Sequence, residues 1–156
     1  TLGADKCSND IGVEYVIRDG DILFSWSGSL VVDIWTGGKG ALNQHLFKVD
    51  SSKYKKWFYY YWINHHLHEF QAIAEEKATS MGHIKRHHLT QSKVLIPPSD
   101  LLTKMDLLFD PLIERQIKIR LQIRTLIELR NTLLPKLISG KLEIHDAEKM
   151  IEEAEI

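Results

Sequence analysis

His83 and His87 stand four residues apart, a spacing that puts two imidazoles on one face of a helix as in zinc sites. His65, His66 and His68 offer a third ligand. The chemistry asks for more than spacing. The His-Glu-x-x-His pattern is absent, no cysteine or acidic residue stands in the cluster, and Gly82 opens a polar loop rather than a helix. Nucleophilic catalysis has as little to stand on. Ser27 lies in Trp26-Ser27-Gly28 without the Gly-x-Ser-x-Gly elbow, and no Asp or His has a spacing that marks it as a partner. Glu75 and Glu76 adjoin Lys77 as a solvated charge run at a helix end.

The stretch GHIKRHH at 82–88 asks less of its surroundings. Lys and Arg on a loop neutralise phosphates, while Ser, Thr, Asn, Gln and His side chains reach base edges. Between residues 81 and 98 there are three basic residues (Lys85, Arg86 and Lys93) and no acidic one, whereas 141–156 holds two basic and six acidic residues. Charge is therefore segregated along the chain, although the formal net charge is only -1. A basic loop with a surface role and no ligand fits the same residues, and so do plain surface histidines. Zinc ranks below DNA binding and below plain surface histidines.

The elements that must carry these residues follow from periodicity. Residues 12–49 show strand and turn signals: VEYVI, the turn Arg18-Asp19-Gly20-Asp21, then ILFSWSGSLVVDIW, a lysine-bearing glycine turn at 36–40, then ALNQHLFKV. Ile22, Phe24 and Trp26 alternate with Leu23, Ser25 and Ser27, as in a strand with one polar end. Residues 53–78 read as a helix with Tyr54, Phe58, Tyr61, Ile63, Leu67, Phe70 and Ile73 on a buried face. The aromatic run WFYYYWI within it is core packing rather than a base-stacking platform, which usually displays separate aromatics on a sheet or groove. A loop follows, then a short strand at 93–96, which Pro97 and Pro98 end.

Residues 99–140 then carry a helical seam. Met105, Leu112, Ile119, Leu126 and Leu133 recur every seventh residue, and Phe109, Ile123 and Leu137 fall four places after members of that series. A stripe this long exceeds what one small domain can cover, so a coiled-coil partner and a partly solvated helix both fit it. Arg115, Gln116, Gln122 and Arg130 interrupt the seam. Pro111 and Pro135 predict kinks or a division, with Asp110 as N-cap of a second segment.

Composition sets the outer limits. Hydrophobic residues make up 44% and charged residues 26% of the 156, which predicts a folded protein of one compact domain plus an extension. Cys7 is the only cysteine, which excludes an internal disulfide and fits a reducing compartment, with cytoplasm the default. No run of apolar residues reaches membrane-spanning length, so no membrane partner is expected. The chain begins at Thr1, as a processed or trimmed piece of something longer would.

Taken in order, GDILFSWSGSL at 20–30, GGKGALNQHLFKV at 37–49, TSMGHIKRHHL at 79–89, VLIPPS at 94–99 and LRNTLLPKLISGKLEI at 129–144 resemble the specificity subunit of type I restriction-modification systems. The resemblance runs across nearly the whole chain, from about residue 16 to 144. It implies an α+β fold in which a target recognition domain (1–98) precedes a long conserved spacer helix (99–140) and an acidic tail (141–156). It implies one unit, the carboxyl-terminal one, of a protein that usually holds two, without the other half and without the amino-terminal strands of its own recognition domain.

The function implied is non-catalytic. Such a chain reads one half of a split site on double-stranded DNA and positions methyltransferase and restriction subunits. S-adenosylmethionine sits on the methyltransferase partner, so no cofactor is expected on this chain. A second specificity half, in the same longer chain or from a homodimer, supplies the opposing helix. The DNA contacts expected are Ser80, His83, Lys85, Arg86 and His87, then Ser27, Ser29, Lys39 and Gln44, with the seam residues named above pairing helices. The competing reading is a helical scaffold or adaptor that binds protein partners, and the third is a metal-dependent hydrolase built on the histidines. No code maps these loops to a DNA target.

Overall fold

A computed structural model describes residues 10–76 and 82–153. A single 3-10 turn at Val13–Tyr15 leads into five short strands: β1 (Val16–Ile17), β2 (Ile22–Ser25), β3 (Val32–Ile34), β4 (Gly40–Ala41) and β5 (Leu46–Val49). Four helices follow: α1 (Lys56–Glu76), α2 (Arg86–Gln91), α3 (Ser99–Ile138) and α4 (Ile144–Glu152). Small antiparallel sheets followed by helices make an α+β fold, as expected. The chain forms two compact units, Thr1–Glu114 and Arg115–Ile156. No helix among the described residues is long and apolar enough to cross a membrane.

In the first unit β2 is the central strand, antiparallel to β3 on one side and β5 on the other, with Phe24 opposite both Val32 and Phe47. β1 pairs with β4 in a separate ribbon. The expected alternation along β2 does not hold, because Ile22, Leu23 and Phe24 are all buried. β2 is therefore covered on both faces, and a strand so covered reads as continuous apolar sequence. The turn before it is built by Asp21, whose carboxylate accepts the Arg18 amide at 2.8 Å, with Gly20 in the left-handed conformation (φ 88°). Of the expected strand VEYVI only Val16 and Ile17 pair.

α1 packs against β3, and Phe70 meets Phe24 edge to face at 6.1 Å. Its buried residues are Trp57, Phe58, Tyr60, Phe70 and Ala74. The expected face was displaced: Tyr61 is 42% exposed, and Trp57 and Tyr60 lie inside. The cause is distant in sequence. The Trp57 indole N–H donates to the Asp106 carboxylate at 2.7 Å and its ring stacks on Phe109 at 4.9 Å, so α3 draws Trp57 inward. The aromatic run is core, as its composition suggested.

Residues 92–98 form no strand, which corrects the expected one at 93–96. Leu95 and Ile96 are 79% and 58% exposed, so apolar content alone misread an irregular connector. It is tied down instead by His66, whose Nε2 lies 3.0 Å from the Lys93 carbonyl, and by the Ser92 hydroxyl donating to His88 O.

α3 runs unbroken for 40 residues, about 60 Å of helical rise. The division expected at Asp110 is absent. Each internal proline removes one N–H and costs about 3 kcal/mol. The carbonyls left over belong to Leu107 and Asn131, both on exposed residues that water reaches. Asp110 does not cap a helix but pairs with Lys55 at 3.4 Å, and Ile113 one turn later is fully buried. Tertiary packing overrides the local signal.

Within the first unit α3 has two apolar aspects. Phe109 and Ile113, with Asp106 and Asp110, face α1, and Glu114 adds a longer ion pair to Lys56 at 3.8 Å. Leu108 and Leu112 lie about a third of a turn away and are 63% and 51% exposed. In the second unit Ile119, Ile123 and Leu126 are about half exposed, whereas Leu133 is buried. Gly140 (φ 67°) ends the helix, with the amides of Lys141 and Leu142 returning to Lys136 O. The acidic tail contains α4, with Ala147 buried and Ile144 73% exposed.

Candidate nucleic-acid interface

The chain leaving β2 at Ser25 is where the loops meet. Ser27 and His83 form an antiparallel bridge, the Gly28 amide donates to Gly82 O at 2.9 Å, and the Ile84 amide donates to Trp26 O at 3.1 Å. Residues 82–84 are thus stitched to 26–28. Ile84 and His88 are buried, and between them Lys85, Arg86 and His87 are all exposed. His88 Nδ1 accepts the Lys85 amide at 3.1 Å, which fixes the entry to α2. This short helix was not expected, because no apolar period announces six residues. Two anchors four residues apart present three side chains outward.

Gly82 holds the loop close to α1. A Cβ there would sit 2.8 Å from the Ala74 carbonyl oxygen, so the missing side chain is used up against the protein's own helix. The earlier turn is fastened to the same helix, since Gln71 Nε2 donates to Leu30 O at 2.9 Å. Gly28 adopts a left-handed conformation (φ 70°) in that turn, and Ser29 beside it is exposed.

The third loop, 43–46, is braced by Trp26. Its indole N–H donates to Gln44 O and its amide to His45 O, both at 3.2 Å, while its ring lies 5.9 Å from the His45 ring. Asn43 closes the turn by accepting the His45 amide on its side chain at 2.8 Å and the Leu46 amide on its carbonyl at 3.0 Å. His45 Nδ1 lies 2.8 Å from the Ser27 hydroxyl.

Three of the expected contact residues, Ser27, Gln44 and His83, are therefore brought together at one end of β2, with Ser29 in the same turn and Lys85, Arg86 and His87 continuing from His83. Ser27 is only 9% exposed and bonded inward. Lys39 stands elsewhere. Its turn follows Trp35, which hydrogen-bonds around Gly20 and Asp21 at the start of β2, about 13 Å of strand away. Ser80 lies outside the described residues. His45 was missed, and its one sequence signal was an Asn two places earlier in a short link between strands.

Among the described residues no group of three or more His, Cys, Asp or Glu side chains is arranged to hold a metal ion. His66, one of the third ligands weighed for zinc, has both ring nitrogens engaged, with Glu69 and with the Lys93 carbonyl.

No protein-family model matches the chain, and no solved structure matches it. Among curated proteins, the specificity subunit of the type I restriction enzyme MjaIX from Methanocaldococcus jannaschii is 33% identical over 104 residues, which cover 65% of this chain. The match covers 24% of that relative, so the chain spans about a quarter of its length. The likeness that the order of motifs pointed to is thus present in a known protein: this chain resembles the specificity subunit of a type I restriction enzyme.

Proposed function

We propose that the chain recognises DNA sequence as part of a type I restriction-modification complex, reading one half of a bipartite site. The observation that carries this reading is the joining of three loops at one end of the sheet, with Lys85, Arg86 and His87 exposed together, in a chain similar to a specificity subunit. Lys85 and Arg86 neutralise phosphates and set the register on the duplex, while His87, Gln44 and His83 reach base edges. The chain itself performs no catalysis and holds no cofactor. Methyltransferase subunits bring S-adenosylmethionine, a restriction subunit brings cleavage, and this chain positions both.

The apolar positions on α3 that face away from α1 supply the second part of the reading. They pair with a helix from another specificity half, in a longer chain or a second copy, and a rigid helix then sets the separation of two reading heads. This stripe is also what the adaptor alternative would use, so the test falls on DNA. Duplex affinity should fall steeply with salt, each phosphate contact contributing a slope of about 0.9 in log K against log salt. Replacing Lys85 and Arg86 by Ala should reduce that slope by roughly two contacts and weaken all sequences alike. A slope that stays the same in the double variant removes this loop from the interface.

A further inference from the structure

His45 is exposed within this cluster and yet held on two sides, by Ser27 and by the Trp26 ring. Its loop is held by the Asn43 turn and by two hydrogen bonds from Trp26, and its ring is set by the Trp26 ring and by Ser27. The residue itself is exposed, whereas Ser27 is 9% exposed.

The proton between them can be assigned from Ser27. Among the described residues, the partner of its hydroxyl is His45 Nδ1 at 2.8 Å. If Nδ1 carried the proton and donated to Ser27, the buried O–H would have no acceptor, and an unsatisfied buried donor keeps its full desolvation cost. The favoured arrangement has Ser27 donating to Nδ1, which places the ring proton of neutral His45 on Nε2. Nδ1 and Nε2 point in nearly opposite directions across an imidazole, so a ring that turns Nδ1 to the buried serine turns Nε2–H outward.

We propose that Ser27 and His45 form a preset hydrogen-bond donor, in which Ser27 fixes the tautomer and His45 Nε2–H reads the N7 acceptor of a purine in the major groove. This inference rests on the DNA-reading function proposed above and names one contact within it. A single donor of fixed direction suits base discrimination rather than phosphate binding, because its aim is set before the duplex arrives. Phosphate contact falls to Lys85 and Arg86, whose long stems adapt. Ser27 is then a positioning residue and does not itself touch DNA.

Two measurements on the intact chain decide the matter. In the free protein, long-range proton–nitrogen NMR of the His45 ring, assigned by its loss in His45→Asn, should show the Nε2-protonated pattern. Ser27→Ala should shift it toward a mixture and Ser27→Thr should keep it. An Nδ1-protonated ring, or a Ser27→Ala spectrum identical to wild type, overturns the positioning role. Next, selection from a randomised duplex pool should enrich a sequence whose purine preference at one position disappears in His45→Ala while the other positions persist. Placing 7-deazapurine at that position should weaken wild-type binding about 5- to 10-fold and leave His45→Ala unchanged. An enriched sequence identical in both proteins overturns this inference alone. A wild-type pool that enriches nothing overturns the DNA reading and this contact with it.

Discussion

At the residue scale, Gly82 carries more of the site than its size suggests. The loop that follows it reaches 26–28 by backbone bonds only because Gly82 can lie against Ala74, whose carbonyl leaves no room for a Cβ. Gly82→Ala forces the loop off α1 or strains the helix. Overpacking of this kind costs about 1–3 kcal/mol, so thermal or denaturant unfolding should report a loss in that range. Tyr59 offers a separate test through pH. Burial first, then the nearby negative charges of Asp50 and Asp21, raise its hydroxyl above the ordinary value near 10. A folded-state value above the unfolded one means the contribution is fully present below about pH 10 and is lost as pH rises through the folded value. Tyr59→Phe should flatten the alkaline decline of the unfolding midpoint.

At the scale of elements, α3 carries two apolar aspects that its sequence pattern blurred together. One aspect of its first turns is held on α1 by Trp57, Lys55 and Lys56, and another leaves Leu108 and Leu112 uncovered. Farther along, Ile119, Ile123 and Leu126 are half exposed at heptad positions. A seam that is only solvated would tolerate charge there; a seam that pairs helices would not. Ile119→Asp with Ile123→Asp should leave helical circular dichroism and the unfolding midpoint near those of wild type. It should also abolish concentration-dependent association in sedimentation, and equal association in both proteins would leave the stripe without a partner role. The two prolines belong to the same lesson. Pro111 reads locally as a helix start, yet Ile113 is buried and Asp110 is paired, and the helix continues.

At the scale of the whole molecule, what was legible in advance depended on separation along the chain. The α+β class, the long helix and the core role of the aromatic run rest on neighbours within a few residues, and periodicity carries those. The convergence of loops rests on pairs such as Ser27 with His83 and Ser27 with His45, far apart in sequence and joined by backbone or side-chain bonds with no local signature. Lys39 looked equivalent to Gln44 because both sit in loops beside strands, and only the register of β2 puts them at opposite ends. The connector at 92–98 failed for the reverse reason, since apolar residues suggested a strand where the chain pairs with none of the described strands.

Genome-wide mapping of methylated adenines is the measurement that bears on the proposed reading of DNA sequence by this domain. Cells carrying the chain with its methyltransferase subunits should show methylation at a split motif. Exchanging residues 83–87 for those of a different loop should change one half of that motif and leave the other half and the spacing intact. An unaltered motif after the exchange, or methylation at no split site, would overturn that function.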